Sequence, residues 1–142
     1  MRMSKNSIEI ESSAAKVAEI LADLEGYPNW STGIKSVSVD ERDGANRPTK
    51  VTCGIDAGVM KDKVTLDYDW SKAPSEVAFT LDEADLLTAM DGSIKIEGDE
   101  EVKVTYELTV ALSLPVPAPM REKTELATID LFLKQLKQKA EE

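Results

Sequence analysis

Seven apolar residues stand at strict alternate positions near the end of the chain: Val102, Val104, Tyr106, Leu108, Val110, Leu112 and Leu114. Side chains of an extended strand point alternately to its two faces, so this run is a long strand with one face buried. A face of that length needs a cover, and the chain supplies one directly downstream. Between Met120 and Glu142, Leu126, Ile129, Leu133, Leu136 and Ala140 recur at intervals of three and four, and Phe132 widens the stripe. This is the spacing of an amphipathic helix, and such a helix spans about 35 Å at 1.5 Å per residue. Lys134, Gln135, Lys137, Gln138 and Lys139, diluted by Glu122, Glu125, Glu141 and Glu142, form its solvated face. The link Leu114-Pro115-Val116-Pro117-Ala118-Pro119 ends the strand, because proline donates nothing to a ladder, and stiffens the entry to the helix.

The upstream chain reads as further strands. Ile8 and Ile10 alternate with Glu9 and Glu11 as a first half-buried strand. Ser12 or Ser13 then caps a helix whose Val17, Ile20, Leu21 and Leu24 share a face, with Gly26 as its left-handed terminator. Tyr27-Pro28-Asn29-Trp30 starts a second short helical turn. Ile34, Val37 and Val39 open the next strand, and the polar run Asp40 to Asn46 turns it. Val51, Cys53, Ile55 and Ala57 form another, with Gly54 as a bulge and a turn at Asp56-Ala57-Gly58. Met60, Val64, Leu66, Tyr68 and Trp70 share the face of the fourth, broken only by Asp62. A turn at Ser71 to Ser75 leads to Val77, Phe79 and Leu81, then an acidic loop at Asp82 to Asp85. Met90, Ile94 and Ile96 share a face of the sixth strand, which turns at Gly98-Asp99. Hairpin-length loops make the sheet mostly antiparallel. The expected class is α+β: a curved seven-stranded antiparallel sheet, two short helices after the first strand, and one long C-terminal helix on the apolar face. A strongly twisted sheet wraps a helix without touching it everywhere, which leaves room for an apolar cavity.

At 142 residues the chain is most simply one domain, 1–142. A domain of that size buries roughly 68–70% of its unfolded surface, enough for a core that hosts a pocket. A net charge of −10 argues against nucleic-acid partners and anionic membrane surfaces. With Cys53 as the one cysteine, no internal disulfide forms, which fits a reducing compartment. The polar N-terminus lacks a signal peptide's apolar run, and no stretch reaches the ~20 apolar residues of a membrane helix. A cytoplasmic protein, monomer or homodimer, without stable membrane insertion, is expected.

The order of elements and several short motifs resemble the helix-grip fold of the START-like (SRPBCC) superfamily, in particular its bacterial polyketide cyclase/dehydrase and lipid-transport branch. The motifs are Ser12-Ser13-Ala14-Ala15-Lys16-Val17 at the first helix, Tyr27-Pro28-Asn29-Trp30, Val104-Thr105-Tyr106, Leu112 to Pro117, and Ile129-Asp130 through Leu133, Leu136 and Lys137. Gly98-Asp99-Glu100-Glu101 departs from the family's frequent Gly-Thr-Arg, and a serine precedes the first helix where many relatives have proline. The resemblance implies a cavity for a lipid, polyketide or similar molecule. It does not by itself imply catalysis.

The chain has no histidine, which removes the commonest general base and transition-metal ligand, and it carries no phosphate-binding glycine loop. No metal or cofactor is expected. Two carboxylate groups, Asp82-Glu83-Asp85 and Glu97 to Glu101, read as solvated turns. Asp62 is the one catalytic candidate: facing a cavity, its raised pKa would suit acid or base work. Tyr68, Trp70, Phe79 and Tyr106 on inward faces, with Trp30 near a mouth, suit a pocket that orients an apolar guest. Met60 and Met90, with Met120, are adaptable gap-fillers. Val64 on the sheet side, and Ile129, Phe132, Leu133 and Leu136 on the helix, complete the expected ligand-binding set. Cys53 reads as a small buried hydrophobe. The expected function is binding of a hydrophobic small molecule between sheet and final helix. A polyketide cyclase or dehydratase using Asp62 or a tyrosine, or a ligand-free protein-interaction module, are the alternatives.

Overall fold

In the computed structural model, which describes residues 4–56, 61–112 and 117–142, the polypeptide begins with β1 (Ser4–Ile10) and α1 (Ala14–Ala22). A short 3-10 helix (Leu24–Asn29) follows. Six strands come next: β2 (Ile34–Arg42), β3 (Pro48–Asp56), β4 (Lys61–Asp69), β5 (Glu76–Ala84), β6 (Leu87–Gly98) and β7 (Val102–Leu112). The chain then enters α2 (Ala118–Ala140). The sheet order is β1-β7-β6-β5-β4-β3-β2, and every pairing is antiparallel. Five successive hairpins make the meander from β2 to β7, and β1 returns to pair with β7. The curved sheet grips the long helix.

Local chemistry fixes the ends of these elements. Ser13, not Ser12, caps α1 by accepting a hydrogen bond from Lys16 N at 3.2 Å. Gly26 does not terminate α1; the helix ends at Asp23, and Gly26 lies within the 3-10 turn. Among the described residues, Gly98 is the glycine that needs its freedom: at φ +117°, a Cβ there would stand 2.2 Å from Glu101 O. Asn46 takes the left-handed conformation in the β2–β3 turn, where Asp43 Oδ1 accepts from Ala45 N and Arg47 N, both at 2.9 Å. The turn begins after Arg42, since β2 runs on through the start of the expected loop. Likewise β5 continues through Asp82 and Glu83, leaving only Asp85 and Leu86 between β5 and β6. Ala57 and Gly58 of one expected turn, Met60, and residues 113–116 of the proline-rich link lie outside the described residues.

The long helix lies against β1 and β7 and touches α1, rather than covering the sheet's centre. Ile129, Phe132, Leu133, Leu136 and Ala140 are buried as the stripe requires. Its first turns depart from the pattern. Leu126 is 40% exposed and Met120 57%, while Glu125 is 1% exposed. Glu125 Oε2 accepts from Val110 N at 2.7 Å, and its Oε1 from Ser4 Oγ at 2.7 Å. The carboxylate therefore caps the β7 amide beyond the last β1–β7 pair, Ser4 with Leu108. Further along, Lys137 Nζ donates to Glu9 O at 2.8 Å, and Glu141 Oε2 accepts from Glu11 N at 2.8 Å. Polar contacts at both ends thus fix α2 along β1.

Candidate functional site

Because α2 sits over one edge of the sheet, the concave face of β3 to β6 is left partly uncovered. A cavity of about 210 Å3 occupies that gap. Its floor alternates along the strands: Cys53 and Ile55 on β3, Leu66 and Tyr68 on β4, Phe79 on β5. Met90 and Ile94 on β6, and Tyr106, Leu108 and Val110 on β7, continue it. Ala127, Thr128, Leu131 and Phe132 of α2 form the roof. Leu131 is 42% exposed, which places it at the rim. Tyr27, Ser31, Gly33 and Ile34, from the segment after α1, close one side with Asp56. A wider depression of about 660 Å3 on the outer face, between Thr52, Thr65 and Asp82, is lined largely by polar and acidic side chains.

The aromatic residues form one continuous series of ring contacts. Trp70 stacks on Tyr68 at 5.8 Å, Tyr68 meets Phe79 at 5.5 Å, and Phe79 meets Tyr106 at 6.4 Å. Tyr106 meets Phe132 edge-on at 5.2 Å, and Phe132 meets Tyr27 at 5.8 Å and Trp30 at 5.2 Å. Those seven are every Phe, Tyr and Trp in the sequence. Edge and offset contacts of this kind add to simple burial and hold the rings in place.

The polar atoms within this series divide into two kinds. Tyr27 OH donates to Leu21 O at 2.6 Å, and Trp70 Nε1 donates to Pro48 O at 2.6 Å. The Tyr68 and Tyr106 hydroxyls bond to no protein group among the described residues, yet neither is a sealed unpaired atom. In the same set, the sealed unpaired atoms are Thr109 Oγ1 and Arg121 Nε. Desolvation raises the pKa of all three tyrosines, and for Tyr27 and Tyr68 nearby ionisable groups add to it. Burial, reinforced by Asp40, pushes the Cys53 thiol up to about 12. At neutral pH these groups are uncharged donors. Among the described residues, no lysine or arginine borders the cavity.

Of the expected ligand-binding set, Tyr68, Phe79, Met90, Tyr106 and Phe132 border the cavity. The others take different positions. Trp30 is half-buried and rests on Tyr27 and Phe132 from outside. Trp70 faces a separate space of about 80 Å3 near Leu21 and Val77. Val64, Ile129, Leu133 and Leu136, each no more than 2% exposed, belong to the solid core. Met60 lies outside the described residues.

Asp62 requires a correction. It does not border the cavity, and both its oxygens are occupied. Oδ1 accepts from Lys63 N at 2.7 Å and Asp85 N at 3.2 Å, and Oδ2 from Leu86 N at 3.0 Å and Leu87 N at 2.9 Å. Partial burial pushes its pKa up, but these four backbone bonds outweigh it and hold the carboxyl below its ordinary range. Asp62 anchors the β5–β6 turn, the opposite of a poised acid.

Several bordering residues escaped the sequence reading. Tyr27 sits in a 3-10 turn without periodicity. Ala127, Thr128 and Leu131 form a second stripe on α2 beside the buried one, and their i, i+1, i+4 spacing was the available signal. Among the described residues, no group of three or more His, Cys, Asp or Glu is placed to hold a metal ion. No helix among them is long and apolar enough to cross a membrane.

The same architecture recurs in solved structures. A START superfamily protein from Mycobacterium smegmatis superposes with TM-score 0.91 at 24% identity, over 98% of this chain and 97% of that one. The Zhui aromatase/cyclase from Streptomyces sp. R1128 gives 0.82 at 18% identity, over 99% and 93%. A protein from Thermus thermophilus gives 0.85 at 19% identity, over 98% and 97%. At these identities the likeness is one of fold. No curated protein sequence matches the chain. The model of the polyketide cyclase / dehydrase and lipid transport family, however, matches residues 1–141, and the chain belongs to that family.

Proposed function

We propose that the 142 residues form one domain that binds a hydrophobic small molecule between the sheet and α2. The observation that carries this reading is the apolar space of about 210 Å3, bordered by five of the chain's seven aromatic side chains. Native interiors are close-packed, so an unfilled volume of this size beside ordered rings has a use. Burying about 200 Å2 of apolar ligand surface contributes about 5 kcal/mol before the cost of immobilising the guest. Family membership supports the same reading. A reducing, cytoplasmic setting suits a chain whose one cysteine is a buried thiol.

The test is mass spectrometry of small molecules released from protein purified under native conditions. An apolar compound at near-stoichiometric amount is the expected result. Leu108→Trp, which fills the cavity, should abolish its retention. Protein that carries nothing, and that also fails to take up apolar compounds added afterwards, would sink the proposal.

A second reading is favoured by a specific observation. The unpartnered hydroxyls of Tyr68 and Tyr106 suit polarisation of a substrate carbonyl, as a cyclase or dehydratase acting on a polyketide-like substrate needs. Asp62 has no part in that version, since its carboxylate is committed to backbone amides.

A further inference from the structure

Buried tyrosine hydroxyls usually find partners within the protein. Tyr27 and Trp70 obey that rule through Leu21 O and Pro48 O. Among the described residues, Tyr106, 5% exposed, has no such partner, and neither has half-buried Tyr68. Both border the same cavity. Phe79 lies between them at 5.5 and 6.4 Å, and Phe132 backs Tyr106 at 5.2 Å, so neither ring is free to swing its hydroxyl elsewhere.

The charge of the lining sets a second condition. Among the described residues the cavity has no cationic side chain, its carboxylate Asp56 stands at one side, and the whole chain carries −10. A buried carboxylate on a guest would find no counter-ion there. Size sets a third. A cavity of about 150 Å3 accommodates benzene; about 210 Å3 among the described residues suits one or two fused rings better than a two-chain lipid.

Resting on the binding function proposed above, we infer that the guest is a compact, neutral ring compound. Its carbonyl or equivalent acceptor oxygen takes a hydrogen bond from Tyr106, with Tyr68 as a second donor, and the same site rejects carboxylates such as fatty acids. The hydroxyls serve as donors throughout the neutral range, as any phenol does, and desolvation only moves their titration further from it. Tyr106 and Tyr68 are then the specificity-determining residues of the cavity.

Calorimetric titration of the intact protein with four probes tests this: acetylnaphthalene, ethylnaphthalene, naphthoate and decanoate at neutral pH. Acetylnaphthalene should bind at least about tenfold more tightly than naphthoate or decanoate. Tyr106→Phe and Tyr68→Phe should each weaken acetylnaphthalene by about five- to tenfold and leave ethylnaphthalene within about twofold. Equal weakening of both naphthalenes would mean a packing effect and would overturn the donor role. Carboxylate binding as tight as the ketone's overturns it without any variant. In either case ethylnaphthalene binding still upholds the cavity as a binding site. If none of the four binds, the binding function falls as well.

Discussion

The ring of Phe79 lies directly over Gly92, its partner across the β5–β6 pair. A Cβ built on Gly92 would stand 2.4 Å from Phe79 Cζ. Gly92 shares the concave face with Met90 and Ile94, so the missing side chain there is what leaves room for the Phe79 ring on the cavity floor. Tyr68 and Tyr106 hem that ring in on two sides. Gly92→Ala should therefore cost about 1–3 kcal/mol in urea unfolding, as overpacking does. Adding Phe79→Leu should recover most of the loss. A double-mutant cycle with no coupling between the two positions would contradict the account.

Glu125 gives a second prediction. Its carboxylate is the partner of Val110 N and Ser4 Oγ within a buried surface. Glu125→Ala should destabilise the protein by about 2–4 kcal/mol, because a buried amide loses a charged acceptor. Glu125→Gln keeps an acceptor oxygen and should cost less. Hydrogen exchange at the Val110 amide should accelerate in the alanine variant more than at neighbouring β7 amides.

The pH dependence of Asp62 has a definite sign. Its folded pKa lies below its ordinary value of 3.8. The stabilisation from its four backbone bonds is therefore complete above that ordinary value and fades as pH falls through the lower folded pKa. Asp62→Asn should cost about 1–2 kcal/mol at neutral pH. The gap between variant and wild type should narrow in acid below pH 3.8. Chemical denaturation at several pH values checks this, and a gap that widens in acid would refute it.

Among the tyrosines, stability should separate bonded from unbonded hydroxyls. Tyr27→Phe leaves Leu21 O without its donor and should cost about 1–2 kcal/mol. Tyr106→Phe removes a hydroxyl that has no partner among the described residues, so thermal unfolding of the ligand-free protein should be unchanged or slightly raised.

The strands, the long helix and the face each turns inward were legible because period two along β7 and period 3.6 along α2 each specify a face, whereas the placement of α2 over β1 and β7 was not. The phase of α2's first turns was not. Hydrophobicity assigns Leu126 inward, yet the β7 amide at Val110 needs an acceptor, and Glu125 turns in to provide it. The cavity side was legible where rings alternate on strands, as with Tyr68, Phe79 and Tyr106. It was illegible where position depends on the ends of elements. Trp70, just past β4, leaves the cavity to meet Pro48 O, and Asp62, on the second residue of β4, reaches the β5–β6 turn. Gly92 passed unremarked because an absent side chain makes no pattern; only the ring above it shows its purpose.

The unbroken series of rings has a practical consequence. One indole rests against Phe132 and Tyr27, the other against Tyr68, so each touches the cavity wall from behind. The native chain therefore carries an intrinsic fluorophore at each end of its aromatic series. Emission from Trp30 and Trp70, resolved by replacing either one with phenylalanine, would report which wall a guest displaces, without any label.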